Sequence, residues 1–232
     1  MHEPLSFFLP LRKGSERVIN KNTKRFAGIE GGILALKLQQ LIGSKLIDEI
    51  VLSTNDEVCI DVAKKFLNKD SRIKIDYRPQ HLCESSTKLT DLIAYVPTVV
   101  SHEHIIWGHV TTPIADGADY DSGIRAYFDS LLAGYDSLIS VMPFQNFLLN
   151  QSAEVINKNI AGIRWPRTQD LLPLYEINHV MFIAGKNIYL DLNDRVGSHP
   201  FLFEMDKLHS LDVDWEDDFL IAEAVYERLT KL

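Results

Sequence analysis

Two stretches of this 232-residue sequence carry residue types at spacings that suit chemistry. The first, Leu5 to Asn22, reads LSFFLPLRKGSERVINKN: an apolar strand-like run meets a proline, then a loop holds Arg12, Lys13, Arg17 and Lys21 around Gly14 and Ser15. From Arg12 to Arg25 six basic residues stand against one acid, Glu16, whereas the whole chain has 24 basic and 32 acidic residues and a net charge of -8. A cationic loop on an acidic protein suits a small polyanion. Glycine allows close backbone approach there, and a serine hydroxyl adds a hydrogen bond to phosphate. The spacing is not that of a P-loop, and no GxGxxG occurs. A merely solvated basic loop is the plainer alternative; the preceding strand, at the head of an α/β pattern, favours binding.

The second stretch is Ser210 to Phe219, SLDVDWEDDF. If Leu211 to Asp214 is extended, Asp212 and Asp214 point to one face, because strand side chains alternate. Two convergent carboxylates suit magnesium, which takes oxygen ligands and shares them with phosphates. Alternatively, Asp214 caps the last helix, with further acids in its first turn offsetting the dipole. Three weaker patches follow. Arg78-Pro79, with Leu82, Ser85, Ser86 and Thr87, offers an arginine and hydroxyls able to read a pyrimidine's carbonyl and ring nitrogen, or is an ordinary polar loop. His109 to Pro113 (HVTTP) follows an apolar run; His102, His104 and His109 suggest a metal, but alternating exposure on one strand end is the expectation. Trp165 to Gln169, then Asn178, includes Arg167, whose fork suits a carboxylate or an interface salt bridge.

These residues need elements to position them. Gly31 to Ile42 has helical apolar spacing, Asp48 to Thr54 reads as a strand, and Glu57 to Leu67 as a helix capped by Thr54 or Asn55. Ile73 to Tyr77 is a third strand, and Leu89 to Val100 a helix that Pro97 disturbs. His104 to Val110 is a fourth strand, Ala118 to Ala133 a helix, and Asp136 to Met142 a fifth strand. Such alternation predicts an α/β fold, a doubly wound, mostly parallel sheet covered on both faces. Ligands in such sheets sit beyond the carboxyl ends of the strands. From Pro143 to Pro173 the rhythm breaks, with Phe144, Phe147 and Trp165, which predicts an inserted hairpin-like arm used in dimerisation. Glu176 to Ala184 returns to strand, and Trp215 to Leu229 closes the chain as a helix. No linker divides the sequence, so residues 1–232 read as one domain.

Composition excludes several classes. Apolar residues at 46% and charged ones at 24% describe an ordinary globular protein. No apolar run approaches a membrane span, and no basic region precedes the first apolar run, so neither a membrane anchor nor a signal peptide is expected. Cys59 and Cys83 show no pairing or metal spacing and suit a reducing compartment, hence the cytoplasm. Overall acidity argues against nucleic acid as a partner.

The stretch PLRKGSERVINKN resembles the N-terminal signature of the CMP-sugar cytidylyltransferases, in particular the acylneuraminate branch. That signature runs arginine, two residues, serine, a usually basic residue, then Lys-Asn; Arg12, Ser15, Lys21 and Asn22 meet it. Glu16 stands where lysine is usual, with Arg17 beside it. The branch for the eight-carbon sugar usually has Lys-Pro in place of Lys21-Asn22, so the nine-carbon sugars are favoured. The family also has an aspartate–any–aspartate element near its C-terminus that binds catalytic magnesium, matched by Asp212 and Asp214. Its Arg-Pro and Ser/Thr-rich loop around cytosine and ribose is matched by Arg78 and then Ser86 and Thr87. Relatives commonly have a glutamine facing the sugar where His109 stands, ahead of Thr111. The Arg-any-Gln segment near the sugar and dimer boundary is matched by Arg167 and Gln169, with Asn178 beyond; His179 stands where glycine is common.

The resemblance implies a nucleotidyltransferase of Rossmann-like fold. It would transfer CMP from CTP to a nine-carbon acidic sugar, release pyrophosphate, need magnesium and work as a homodimer. Arg12, Lys21 and Asp214 would be catalytic; Arg12, Ser15, Arg17, Lys21, Asn22, Arg78, Ser86 and Thr87 would bind nucleotide. His109, Thr111, Arg167, Gln169 and Asn178 would bind sugar. A non-catalytic nucleotide-binding relative is the alternative, for which Glu16, His109 and His179 argue. A pyrophosphorylase using another base is a third option.

Overall fold

The computed structural model describes residues 3–14, 18–158 and 163–231. Its centre is a seven-stranded sheet in the order β3-β2-β1-β4-β6-β5-β7. The strands are β1 (Leu5–Pro10), β2 (Glu49–Thr54), β3 (Ile73–Tyr77), β4 (His104–Trp107), β5 (Ser137–Phe144), β6 (Leu174–Gly185) and β7 (Pro200–Glu204). Only β6 runs against its neighbours; the other pairings are parallel. β1 and β2 are buried almost throughout, as central parallel strands covered on both faces must be, which explains the apolar runs Phe7 to Leu9 and Ile50 to Leu52 within them.

Among the described residues five α-helices cover the sheet: α1 (Gly32–Gly43), α2 (Glu57–Leu67), α3 (Leu89–Val99), α4 (Gly117–Leu132) and α5 (Glu216–Thr230). Alternate side chains of β1 separate the two cores. Leu5, Phe7 and Leu9 join residues of α1, α2, α4 and α5, whereas Phe8 joins Ile93 and Val96 of α3 with Ile188 and Tyr189. The chain leaves β1 for β2 on one side and returns to β4 on the other. The carboxyl ends of β1 and β4 therefore flank the point where strand order reverses, the usual ligand crevice of such sheets.

Three boundaries differ from the sequence expectation. β4 stops at Trp107, and the next position admits only glycine, because a Cβ on Gly108 would lie 2.2 Å from the Phe7 ring. His109 thus sits in a loop, while His102 and His104 lie at the other end of the strand, bonded to Ser6 and to Tyr127, so the three do not share one strand end. α3 runs through Pro97, whose missing N–H falls in the last turn. β5 and β6 continue as a two-stranded ribbon to Phe144–Leu174, and residues 145–173 connect them. Among the described residues of that connection, Phe147 and Trp165 meet edge to face at 5.6 Å, and Trp165 remains 59% exposed.

At the amino ends of the strands a buried carboxylate, Glu49, accepts hydrogen bonds from the Ser101 N–H (2.8 Å) and hydroxyl (2.7 Å), from the Ser6 hydroxyl and from Lys74. Burial alone would raise its pKa; the bonds from Lys74, Ser6 and Ser101 outweigh it and hold the group down from 4.5 to about 2. A depressed folded value stabilises the fold above the unfolded pKa, and that stability is lost as pH falls through about 2. Glu49→Gln should cost on the order of 3 kcal/mol at neutral pH and flatten the loss of stability between pH 4.5 and 2. Urea unfolding across that range measures it, and parallel profiles for both proteins would contradict the assignment.

Candidate active site

The loop after β1 is tied to α1 by its own turns. Lys24 N–H donates to Asn20 (2.8 Å), and Leu34 N–H donates to the Asn22 carbonyl (2.9 Å). Gly32 makes this approach possible: at φ 62° it lies so close that a Cβ would meet the Lys24 carbonyl at 2.2 Å. Lys21, with its side chain 14% exposed, then crosses to the far end of the sequence. Its Nζ donates to the Val213 carbonyl at 2.7 Å and stands 3.8 Å from Asp214 Oδ1. The Val213 N–H in turn donates to the Thr111 carbonyl at 2.8 Å. One peptide segment thereby clamps the β1 and β4 loops together.

Two clefts open on either side of this clamp. Arg12, Lys21, Asn22, His109 and Thr111 line the first, of about 310 Å³. Asn178, His179, Asp212, Asp214 and Trp215 line the second, of about 430 Å³. Helix α5 is anchored alongside by Lys24 to Glu216, by the Ala27 N–H to Glu223 (2.7 Å), and by Phe26 edge-on to Phe219 at 5.3 Å. Asp218 accepts the N–H groups of Asp214 (3.1 Å) and Trp215 (2.7 Å), so these two N–H groups at the helix start, where capping by Asp214 was the alternative reading, are met by Asp218. Among the described residues Asp212 Oδ1 is buried without a hydrogen-bond partner, as is His179 Nδ1. Burial pushes the Asp212 carboxyl above its usual value, and neighbouring Asp214 adds to this; Thr111, His179 and Lys21 pull it back.

The remaining sequence candidates fall in several places. Ser15 and Arg17 lie outside the described residues. Arg78 is buried and turned inward: its guanidinium donates to Ser53 Oγ (3.0 Å), to the Leu11 carbonyl (2.8 Å) and to the Ser53 carbonyl. It therefore supports the mouth of the first loop instead of opening toward a base. Ser86 and Thr87 sit in an exposed loop bonded to Glu84 and His81, and the adjacent Ser85 accepts from Arg12 at 3.4 Å. Arg167 pairs with Asp170 at 2.7 and 2.9 Å and, with Gln169, belongs to the arm and lines neither cleft. Asn178 is buried, accepting from Ser140 (2.6 Å) and donating to Ser210 (3.0 Å).

Two cations escaped the sequence reading. Lys37, on an apolar face of α1, is wholly buried and donates to the Thr112 and Ala115 carbonyls and the Tyr120 hydroxyl, fixing the loop beyond β4. Burial lowers its pKa to about 7. Arg195 packs over Phe182, 3.9 Å from the ring centroid, and Trp107, and reaches His109. A lysine between leucines at helical spacing was the one available signal for the first; nothing local marks the second.

Residues 7–108 match the family model described as Cytidylyltransferase. The chain is 24% identical over 226 residues to a pseudaminic acid cytidylyltransferase of Campylobacter jejuni subsp. jejuni serotype O:23/36 (strain 81-176), covering 94% of each chain. It is 21% identical over 234 residues to the N-acylneuraminate cytidylyltransferase of Escherichia coli O18:K1:H7 (strain RS218 / NMEC), covering 98% of this chain and 53% of that one. The fold is similar to that of CMP:2-keto-3-deoxy-manno-octonic acid synthetase complexed with CTP, with a TM-score of 0.67 at 13% identity, covering 99% of this chain and 100% of that one. The chain is thus similar to the cytidylyltransferases over residues 7–108 of its own length by the family model, and over nearly all of its length to enzymes that act on pseudaminic and N-acylneuraminic acids.

Proposed function

We propose that the protein transfers CMP from CTP to a nine-carbon acidic sugar of the acylneuraminate or pseudaminate type, releasing pyrophosphate. The observation that carries this reading is the contact of Lys21 with Val213 and Asp214, which brings the cationic loop and the carboxylate pair into one site from opposite ends of the chain. Arg12 and Lys21, with Asn22 beside them, would hold the triphosphate in the first cleft. The sugar would enter the second and reach the boundary between the clefts, where His109 of the first packs against His179 of the second with ring centroids 5.2 Å apart, its anomeric hydroxyl attacking the α-phosphate in line while pyrophosphate leaves. Arg78 keeps the Leu11 and Ser53 carbonyls from turning into the phosphate site.

The carboxylates fit magnesium. Asp212 carries a buried oxygen without a partner among the described residues, and Asp214 lines the same cleft. Among the described residues no cluster of three or more potential ligands occurs. An ion held by the two carboxylates would leave its other positions to phosphate and water. When bound, it would disperse charge on the triphosphate. His109 is no general base: burial, with Arg195, His179 and Lys21 nearby, lowers its pKa to about 3. The exposed Trp165, Leu174, Tyr175 and Ile177 of the arm and ribbon fit a two-fold dimer contact. Among the described residues no helix is long and apolar enough to cross a membrane, and we place the reaction in the cytoplasm.

Pyrophosphate release with each nucleoside triphosphate and a panel of nonulosonic acids tests the reading. Turnover should need CTP and a divalent ion, and Asp214→Asn should lower kcat at least about 100-fold while unfolding as the wild type does. An Asp214→Asn protein with unchanged specific activity would refute the role of the carboxylate pair. Arg12→Ala should weaken CTP binding by about tenfold or more, measured calorimetrically, and leave sugar binding intact. Light scattering should report a dimer, and Trp165→Ser should weaken it; a fully active monomer would contradict the arm's role.

A further inference from the structure

His109 lines the first cleft, and its imidazole has one ring nitrogen engaged: Arg195 Nη1 lies 3.4 Å from His109 Nε2. A guanidinium has donors and no acceptor, so Nε2 must be the accepting, unprotonated nitrogen. In a neutral ring the proton is then on Nδ1, which has no hydrogen-bond partner among the described residues. Arg195 is held for this task from 86 positions away. Its guanidinium packs 3.9 Å from the Phe182 centroid and 4.9 Å from that of Trp107, and among the described residues it forms no salt bridge. The charged groups facing His109 are Arg195, Lys21 and, when protonated, His179, all of which oppose a second proton on the ring.

We propose that Arg195 is a positioning residue that fixes His109 as the neutral Nδ1–H tautomer, so that His109 offers one hydrogen-bond donor to an acceptor oxygen of the sugar acid. The proposal rests on the function proposed above for the cleft, but its principal readout needs no substrate. A neutral donor of fixed tautomer accepts no proton from the attacking hydroxyl and does not draw the triphosphate away from Arg12 and Lys21. It discriminates instead by hydrogen-bond direction, rejecting a substrate that presents a donor at this point.

The test is nitrogen NMR of the full chain labelled with 15N-histidine at pH 7, the His109 resonances being those lost in His109→Gln. The expected spectrum has a protonated Nδ1 and an unprotonated Nε2. Arg195→Met should move the ring toward the Nε2–H tautomer and raise KM for the sugar acid about tenfold, with KM for CTP unchanged. Arg195→Lys, which keeps a donor, should restore most of both. A wild-type His109 found as the Nε2–H tautomer or as imidazolium would overturn the proposal, and that spectrum decides even if Arg195→Met does not fold. A folded Arg195→Met with an unchanged tautomer would overturn it too. An Nδ1–H spectrum in a protein that releases no pyrophosphate would count against the proposed function alone.

Discussion

The site depends on one peptide segment held from two sides. Val213 donates its N–H to the loop after β4 and receives Lys21, from the loop after β1, on its carbonyl. These bonds join three segments that the sheet alone would leave separate. The strand order puts the β1 and β4 loops side by side at the switch point, but nothing in that order requires the chain's last stretch to return there. The return is enforced by packing: Phe26 meets Phe219 and Tyr226, and Glu216 and Glu223 bond to residues 24 and 27. A buried aromatic contact thus sets the carboxylate pair where the lysine can reach it.

Charge is arranged around this clamp by burial. Lys21 gives up most of its water yet keeps a carbonyl and a carboxylate. Asp212 gives up more than it recovers, which leaves its carboxyl raised and one oxygen without a partner. Such an oxygen costs free energy unless a ligand supplies what is missing, and a divalent cation shared with phosphate oxygens has the right chemistry. The same accounting explains the buried arginines. Arg78 meets carbonyls, and Arg195 meets two aromatic faces and one imidazole nitrogen. Each arginine shapes a loop whose neighbours line the cleft.

Much of the fold was legible in the sequence because its signals are local. The apolar runs of β1 and β2, and the alternation of strands with helices, require nothing beyond neighbouring residues. The charge contrast of residues 12–25 and the acids of residues 212–218 were equally local, so both ends of the site stood out. What failed to show depends on distant partners. A strand's direction is not written in its own residues, so β6 read as a strand but not as the antiparallel one. Asp214 reads as a plausible cap on paper, and only the folded geometry gives the N–H groups of residues 214 and 215 to Asp218. An arginine after a strand reads alike whether it faces a ligand or, as Arg78 does, the carbonyls behind it. Lys37 meets its hydrogen-bond partners 75 to 83 positions away, and Arg195 reaches His109 across 86, beyond any local pattern.

The account's central claim is that the two clefts flanking Val213 form one site, with triphosphate on the Arg12–Lys21 side and a divalent ion at Asp212 and Asp214. A crystal structure with CTP and manganese in place of magnesium, read by anomalous scattering, tests it most directly. The predicted map has a manganese peak at Asp212 and Asp214 and the triphosphate against Arg12 and Lys21. A nucleotide bound in another cleft, or a metal peak with neither aspartate as ligand, would contradict it.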